Sequence, residues 1–201
     1  VNEEVKKVAR KMLFPVVKVA IKFNVSPNAV TLIGFGITLV ASYLYAKGHF
    51  RVAGLILALA GLCDAIDGEV ARKTNRVSRF GSFFDSTIDR FEEFFVFGGI
   101  LYYYSFLKVD ALLSIITYIV LLGSIMTSYI KARAEGIGFS PTSGPMDRPN
   151  RYIYLVLFSI IAGNGVLFSV GMGFLLILVY LTVINRFKEF RVLINKEEHN
   201  G

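Results

Sequence analysis

The sequence predicts an all-α, polytopic membrane protein: six transmembrane helices preceded by an amphipathic juxtamembrane helix, with both termini cytoplasmic. Three observations carry this. The 201 residues are 54% hydrophobic and 18% charged, with 18 Phe and 10 Tyr, and the mean hydropathy is +0.58, more apolar than an ordinary soluble domain. The apolar residues come in long runs, with room for about six spans of roughly 20 residues. The basic residues also segregate. Six Lys and Arg precede the first span, four lie from Arg72 to Arg79, four from Lys131 to Arg151 and four from Arg186 onward, against Lys47, Arg51 and Lys108 on the other face. That bias places the termini in the cytoplasm.

Three segments follow: an interfacial helix (1–24), a six-helix membrane domain (25–192) and a polar C-terminal tail (193–201). In the first, Val8, Ala9, Met12, Leu13, Val16, Val17, Ala20 and Ile21 recur at helical spacing, with Lys6, Lys7, Arg10, Lys11, Lys18 and Lys22 between them. This describes a helix lying on anionic lipid, kinked at Pro15. A soluble amphipathic helix packed on its own protein is the alternative. The segment lacks the continuous apolar core of a secretory signal, and the absent initiator Met leaves trimming or a longer fusion open.

Ser26-Pro27 reads as a helix start, a serine cap with proline in the first turn. The first span then covers about Asn28 to Tyr45, and "AKGH" makes a turn. Spans two to six are expected at about Val52–Arg72, Phe80–Phe106, Ala111–Arg133, Tyr152–Leu167 and Val170–Arg186, with one long loop, "GIGFSPTSGPMDRPN", between the fourth and fifth. Cys63 is the single cysteine, so there is no intrachain disulfide.

The polar ends of spans two and three carry four aspartates. Asp64 and Asp67 are three apart, and Asp85 and Asp89 four apart, so each pair shares a helix face. If the two antiparallel neighbours bring these faces together, four carboxylates gather at one depth, where their repulsion calls for a divalent cation. All-oxygen ligands with no His or Cys nearby point to Mg²⁺ or Mn²⁺. Gly68 and Ala71 keep the Asp64 face low, Gly81 does the same one turn before Asp85, and Arg72 stands where a guanidinium can hold a diphosphate. Salt bridges to neighbouring arginines, or an ion pathway, are the plainer reading of such acids.

The full pattern, D-x2-D-G-x2-A-R-x8-G-x3-D-x3-D, is matched at Asp64, Asp67, Gly68, Ala71, Arg72, Gly81, Asp85 and Asp89. It resembles the signature of the CDP-alcohol phosphotransferases, six-span membrane enzymes that move a phosphoalcohol from a CDP-linked donor to an acceptor hydroxyl and release CMP. The resemblance implies that Asp64, Asp67, Asp85 and Asp89 hold two divalent ions and that Asp89 is also the general base. Asn28, Thr31, Asp64, Gly68, Ala71, Arg72, Ser78 and Gly81 would form the donor site, for CDP-diacylglycerol or CDP-archaeol. A homodimer is also implied.

A second set of residues bears on the acceptor. Lys131 and Arg133 end span four, Arg148 and Arg151 begin span five, and Arg186 ends span six, so several helices deliver cations to one cytoplasmic rim. Singly, such residues are ordinary membrane anchors; together they suit a phosphorylated acceptor. "SYIKARAE", "GPMDRPNRYI" and "TVINRF" are similar to the phosphatidylinositol phosphate synthase branch and its archaeal counterpart, which implies inositol 1-phosphate as acceptor. Asp147 stands where that branch leads one to expect Glu. "GFSPTSGP" also departs from the branch's loop.

Rival acceptors are glycerol 3-phosphate, serine and a soluble inositol phosphate that would give a di-inositol phosphate. An intramembrane prenyltransferase would need a second Asp-rich motif. A cation transporter would explain the carboxylates but not the glycines and arginine in register, and no inverted repeat is evident. A nucleic-acid role is excluded because the net charge of +7 follows membrane topology.

Overall fold

Capping residues decide where most of the helices begin. The computed structural model describes residues 14–200, so most of the expected interfacial helix lies outside the described residues; 14–22 form α1. Then follow α2 (Pro27–Ala46), α3 (Phe50–Lys73), α4 (Arg79–Tyr102) with a π-helical turn at Tyr103–Leu107, α5 (Ala111–Glu135), α6 (Arg148–Ala162) and α7 (Val166–Asn200). The side chains of Ser26, Ser78, Asp110 and Asp147 each accept the backbone N–H three residues on, starting α2, α4, α5 and α6. Gly48 (φ +82°) turns α2 into α3, and Gly163 (φ +61°) ends α6.

Three boundaries differ from expectation, one of them the end of the last helix, which runs past Arg186 and into the segment 193–201 expected as a polar tail. The helix of the expected fifth span, α6, starts at Arg148, four residues before Tyr152, because Asp147 caps it and Pro149 fits the first turn. "RPN" is therefore helix and not loop. The break between the last two helices falls at 163–165 rather than between Leu167 and Val170, because Gly163 supplies the positive φ that an apolar run alone does not announce. From there α7 continues as one helix to Asn200.

The helix α2 packs on both α3 and α4; α3 also packs on α6, α4 on α5, and α5 on α7. At the α2–α4 crossing a Cβ on Gly99 would collide with the Ser42 carbonyl, and Ser42 Oγ donates to the Phe95 carbonyl at 2.6 Å; glycine lets the backbones touch. The core runs from Ala41, Leu57 and Val96 to Leu175 and Val179. At one end it is closed by Phe50, whose ring stands edge-on to Tyr45, Tyr103, Tyr104 and Phe168. At the other end Val17 of α1 is buried with Val30, Ile66 and Val70. Lys73 lies 4.2 Å from the centroid of the Phe14 ring there.

Among the described residues, three helical stretches are long and apolar enough to cross a membrane: α2, α5 and Val166–Glu197 of α7. Helices α3 and α4 have 24 residues each but carry the acidic residues, and α6 has 15. Leu32, Val40, Ile115, Leu122, Phe174 and Ile177 are exposed on the outside of the bundle. Such a surface suits lipid, not water.

Candidate active site

The acidic residues gather where the C-terminal half of α3 and the N-terminal half of α4 flank the start of α2. A direct α3–α4 interface is not what joins them: α2 is the main packing partner of both. The gap between the two acidic faces is therefore crossed by side chains. Thr31 Oγ1 of α2 donates to Asp67 Oδ2 at 2.7 Å, fixing that carboxylate. Asp85 lies within electrostatic range of Asp64, Asp67 and Asp89. All four aspartates thus share one locus.

On one side of this locus lies a cleft of about 390 Å³, open to solvent, with Asp67 and Asp85 in its wall. Asn28, Thr31, Gly68, Ala71, Arg72, Ser78 and Gly81 all line it, so seven of the eight residues expected at the donor site meet in one cleft. Asp64 is absent from its lining. The glycines have a visible purpose. A Cβ on Gly68 would stand 3.3 Å from Arg72 Nη1, and one on Gly81 would stand 3.1 Å from Ser78 Oγ and 3.7 Å from Asn28 Oδ1. Arg72 pairs with Glu69 at 2.8 Å while its side chain stays 55% exposed, so its guanidinium is available to a ligand in the cleft.

On the other side, Arg148 of α6 reaches into the acids. Its Nη2 lies 3.1 Å from Asp64 Oδ2, 2.6 Å from Asp89 Oδ1 and 3.0 Å from Glu92 Oε2. One nitrogen with two hydrogens cannot make three full hydrogen bonds, so it acts largely as a point of positive charge. Oxygens of Asp64, Asp89 and Glu92 lie within 4.8 Å of one another. Opposite ligands of a magnesium-sized ion are about 4.2 Å apart, so small side-chain adjustments would close these oxygens on a divalent ion. The donor set, all hard oxygen, fits Mg²⁺ or Mn²⁺.

Beyond the acids lies a second, much tighter cavity of about 20 Å³, room for little more than one water, bounded by Glu92, Glu93, Arg148, Arg151 and Tyr152 among others. The five expected acceptor cations do not form one set. Arg151 is buried, and all five of its N–H groups are used, on Glu93 Oε1 and Oε2, Thr127 Oγ1 and the Met146 and Ser124 carbonyls. It ties α4, α5 and α6 together. Arg186 is buried and donates through Nη1 to the Thr127 carbonyl. Lys131 pairs loosely with Glu135 at 3.7 Å, and Arg133 is exposed in the last turn of α5.

Glu92 and Glu93 are the site residues the sequence reading missed. Glu92 follows Asp85 by seven and Asp89 by three residues, so helical register alone places it on the acidic face. Glu93, the partner of Arg151, follows Asp89 by four residues, so the same register reaches it as well.

Residues 24–185 match the sequence profile described as CDP-alcohol phosphatidyltransferase. The chain belongs to that family. It is 37% identical over 173 residues to the archaetidylinositol phosphate synthase of Pyrococcus horikoshii, covering 86% of this chain and 87% of that protein. It is 35% identical over 171 residues to the phosphatidylinositol phosphate synthase of Corynebacterium glutamicum, covering 84% and 78%. The phosphatidylinositol phosphate synthase of Mycobacterium tuberculosis with CDP-DAG bound superposes with a TM-score of 0.83 at 28% identity, over 90% of this chain and 94% of that one. The same protein with manganese and citrate gives 0.82 at 29% identity, over 88% and 87%. As a CDP-alcohol phosphatidyltransferase the chain is a transferase, an enzyme of phospholipid synthesis.

Proposed function

We propose that the protein transfers the phosphatidyl-type group of a CDP-linked lipid, CDP-diacylglycerol or CDP-archaeol, to a hydroxyl of inositol 1-phosphate and releases CMP. The observation that carries this is the meeting of seven expected donor residues in one cleft whose inner wall holds Asp67 and Asp85. In this reading all six helices α2–α7 cross the membrane, with the cleft on the cytoplasmic side where basic residues concentrate. The inositol-phosphate relatives support the acceptor.

The donor's cytidine diphosphate lies along Asn28, Thr31, Gly68 and Ser78, its charge met by Arg72. Asp64, Asp67, Asp85 and Asp89 hold two divalent ions, Mg²⁺ or Mn²⁺, which when bound neutralise the diphosphate and the departing CMP. Asp89 takes the proton of the acceptor hydroxyl. The acceptor oxygen then bonds to the lipid-linked phosphorus as the bond from that phosphorus to the CMP oxygen breaks. Arg148, Arg186, Lys131 and Arg133 bind the acceptor phosphate; Arg151, with every donor used, holds their helices in place.

Purified protein with Mn²⁺ and CDP-diacylglycerol or CDP-archaeol is expected to release CMP on addition of inositol 1-phosphate, and not with free inositol or serine. Equal turnover with glycerol 3-phosphate would move the assignment to another acceptor. Metal-dependent ion flux in vesicles without CMP release would replace the enzyme with a transporter.

A further inference from the structure

The connection between α5 and α6, residues 136–147, is long for a loop without secondary structure, and it ends at the residue before Arg148. Its placement comes largely from α7. At its start, the Phe139 ring packs edge-on to Phe190, centroids 5.6 Å apart. In its middle, Glu189 Oε2 accepts the backbone N–H groups of both Thr142 and Ser143, each at 2.8 Å. Near its end, the Met146 N–H donates to Thr182 Oγ1 at 3.0 Å, and Gly144, at φ +122°, presses so closely on Thr182 that a Cβ would collide with it. Thr182, Arg186 and Glu189 are four and three apart, on one face of α7. The loop therefore runs along this face across Arg186, fastened on both sides of it.

We propose that Glu189 is a positioning residue for the acceptor side: by capturing the Thr142 and Ser143 amides it sets the loop across Arg186 and fixes the start of α6, from which Arg148 projects. This rests on the reading of Arg148 and Arg186 as acceptor-phosphate ligands. Two charge-assisted bonds to one carboxylate oxygen hold a Pro- and Gly-containing segment that has no helix or strand of its own. Glu189 touches neither reacting group in this account; it acts through the loop.

The test compares Glu189→Ala and Glu189→Gln in steady-state assays and in peptide-level hydrogen exchange of the loop, the latter without substrates. Glu189→Ala is expected to raise the acceptor KM about tenfold, the scale of one charge-assisted hydrogen bond, with kcat and the donor KM within about twofold. Exchange across residues 139–146 should quicken. Glu189→Gln keeps a carbonyl oxygen for both amides but loses the charge, so it should fall between the wild type and Glu189→Ala in both measurements. Glu189 is also within electrostatic range of Arg186, so a Gln variant as impaired as Ala would assign the effect to charge and overturn the positioning role. An unchanged acceptor KM or unchanged exchange in Glu189→Ala would overturn it too. Wild-type turnover with free inositol but not with inositol 1-phosphate would sink the acceptor reading separately, because loop exchange is read without any acceptor.

Discussion

The two sides of the carboxylate cluster are built differently. The proposed donor side, from Asn28 to Asp89, comes from three consecutive helices and an open cleft in which Arg72 keeps an exposed guanidinium. The acceptor side is assembled from Lys131 to Glu189, and its arginines are mostly buried and already paired: Arg148 with three carboxylates, Arg151 with Glu93 and three oxygens on α5 and the loop, and Arg186 with the Thr127 carbonyl. A motif can therefore identify the first side, while the second depends on tertiary packing. Arg72 on the donor side is available to a ligand, whereas Arg148, Arg151 and Arg186 on the acceptor side also hold helices together.

Substitutions can break or sharpen that contrast. The largest effect is expected from Asp89→Asn, at the boundary: turnover should fall by about 10²–10⁴-fold, the range for loss of a general base. CDP-donor binding, measured by calorimetry, should persist; normal turnover would remove Asp89 from its role. Next is Arg151→Ala, which leaves Glu93 as an uncompensated buried acid and should lower stability by about 3–5 kcal/mol, read as a fall in Tm. A Tm unchanged beside an acceptor KM raised tenfold would instead make Arg151 a ligand.

Smaller changes separate the sides further. Gly68→Ala places a methyl against the Arg72 guanidinium; Arg72 is long and exposed enough to shift, so the donor KM should rise several-fold with Tm unchanged. A rise in acceptor KM instead would blur the division. Lys131→Ala should do least: its pair with Glu135 is half exposed at 3.7 Å, contributing less than about 1 kcal/mol. Only the acceptor KM should move, by a few-fold.

Much of this was legible from residues alone. Helical register placed Asp64 with Asp67 and Asp85 with Asp89, and Ser26-Pro27 marked a helix start that the Ser26 cap bears out, whereas the caps at Ser78, Asp110 and Asp147 emerged only with the fold. Register did not reveal that α2 stands as the shared partner of α3 and α4, because contact between helices depends on which apolar faces pack, and hydropathy does not choose among them. The cations were legible as a set at one rim but not in their employment. Arg148 and Arg151 are three residues apart on one helix, yet one points to the aspartates and the other is enclosed by Glu93, Ser124 and Thr127. That distinction needs the facing helices. Gly163 hid within an apolar stretch, where hydropathy gives no sign of a turn.

The division of the site is tested most directly by varying donor and acceptor separately in steady-state assays of Arg72→Ala and Arg186→Ala. Arg72→Ala is expected to raise the donor KM alone and Arg186→Ala the acceptor KM alone, each with the other KM within about twofold, a change worth less than ~0.5 kcal/mol. If Arg72→Ala raised the acceptor KM, or Arg186→Ala the donor KM, by as much as its own, the two-sided site would be contradicted.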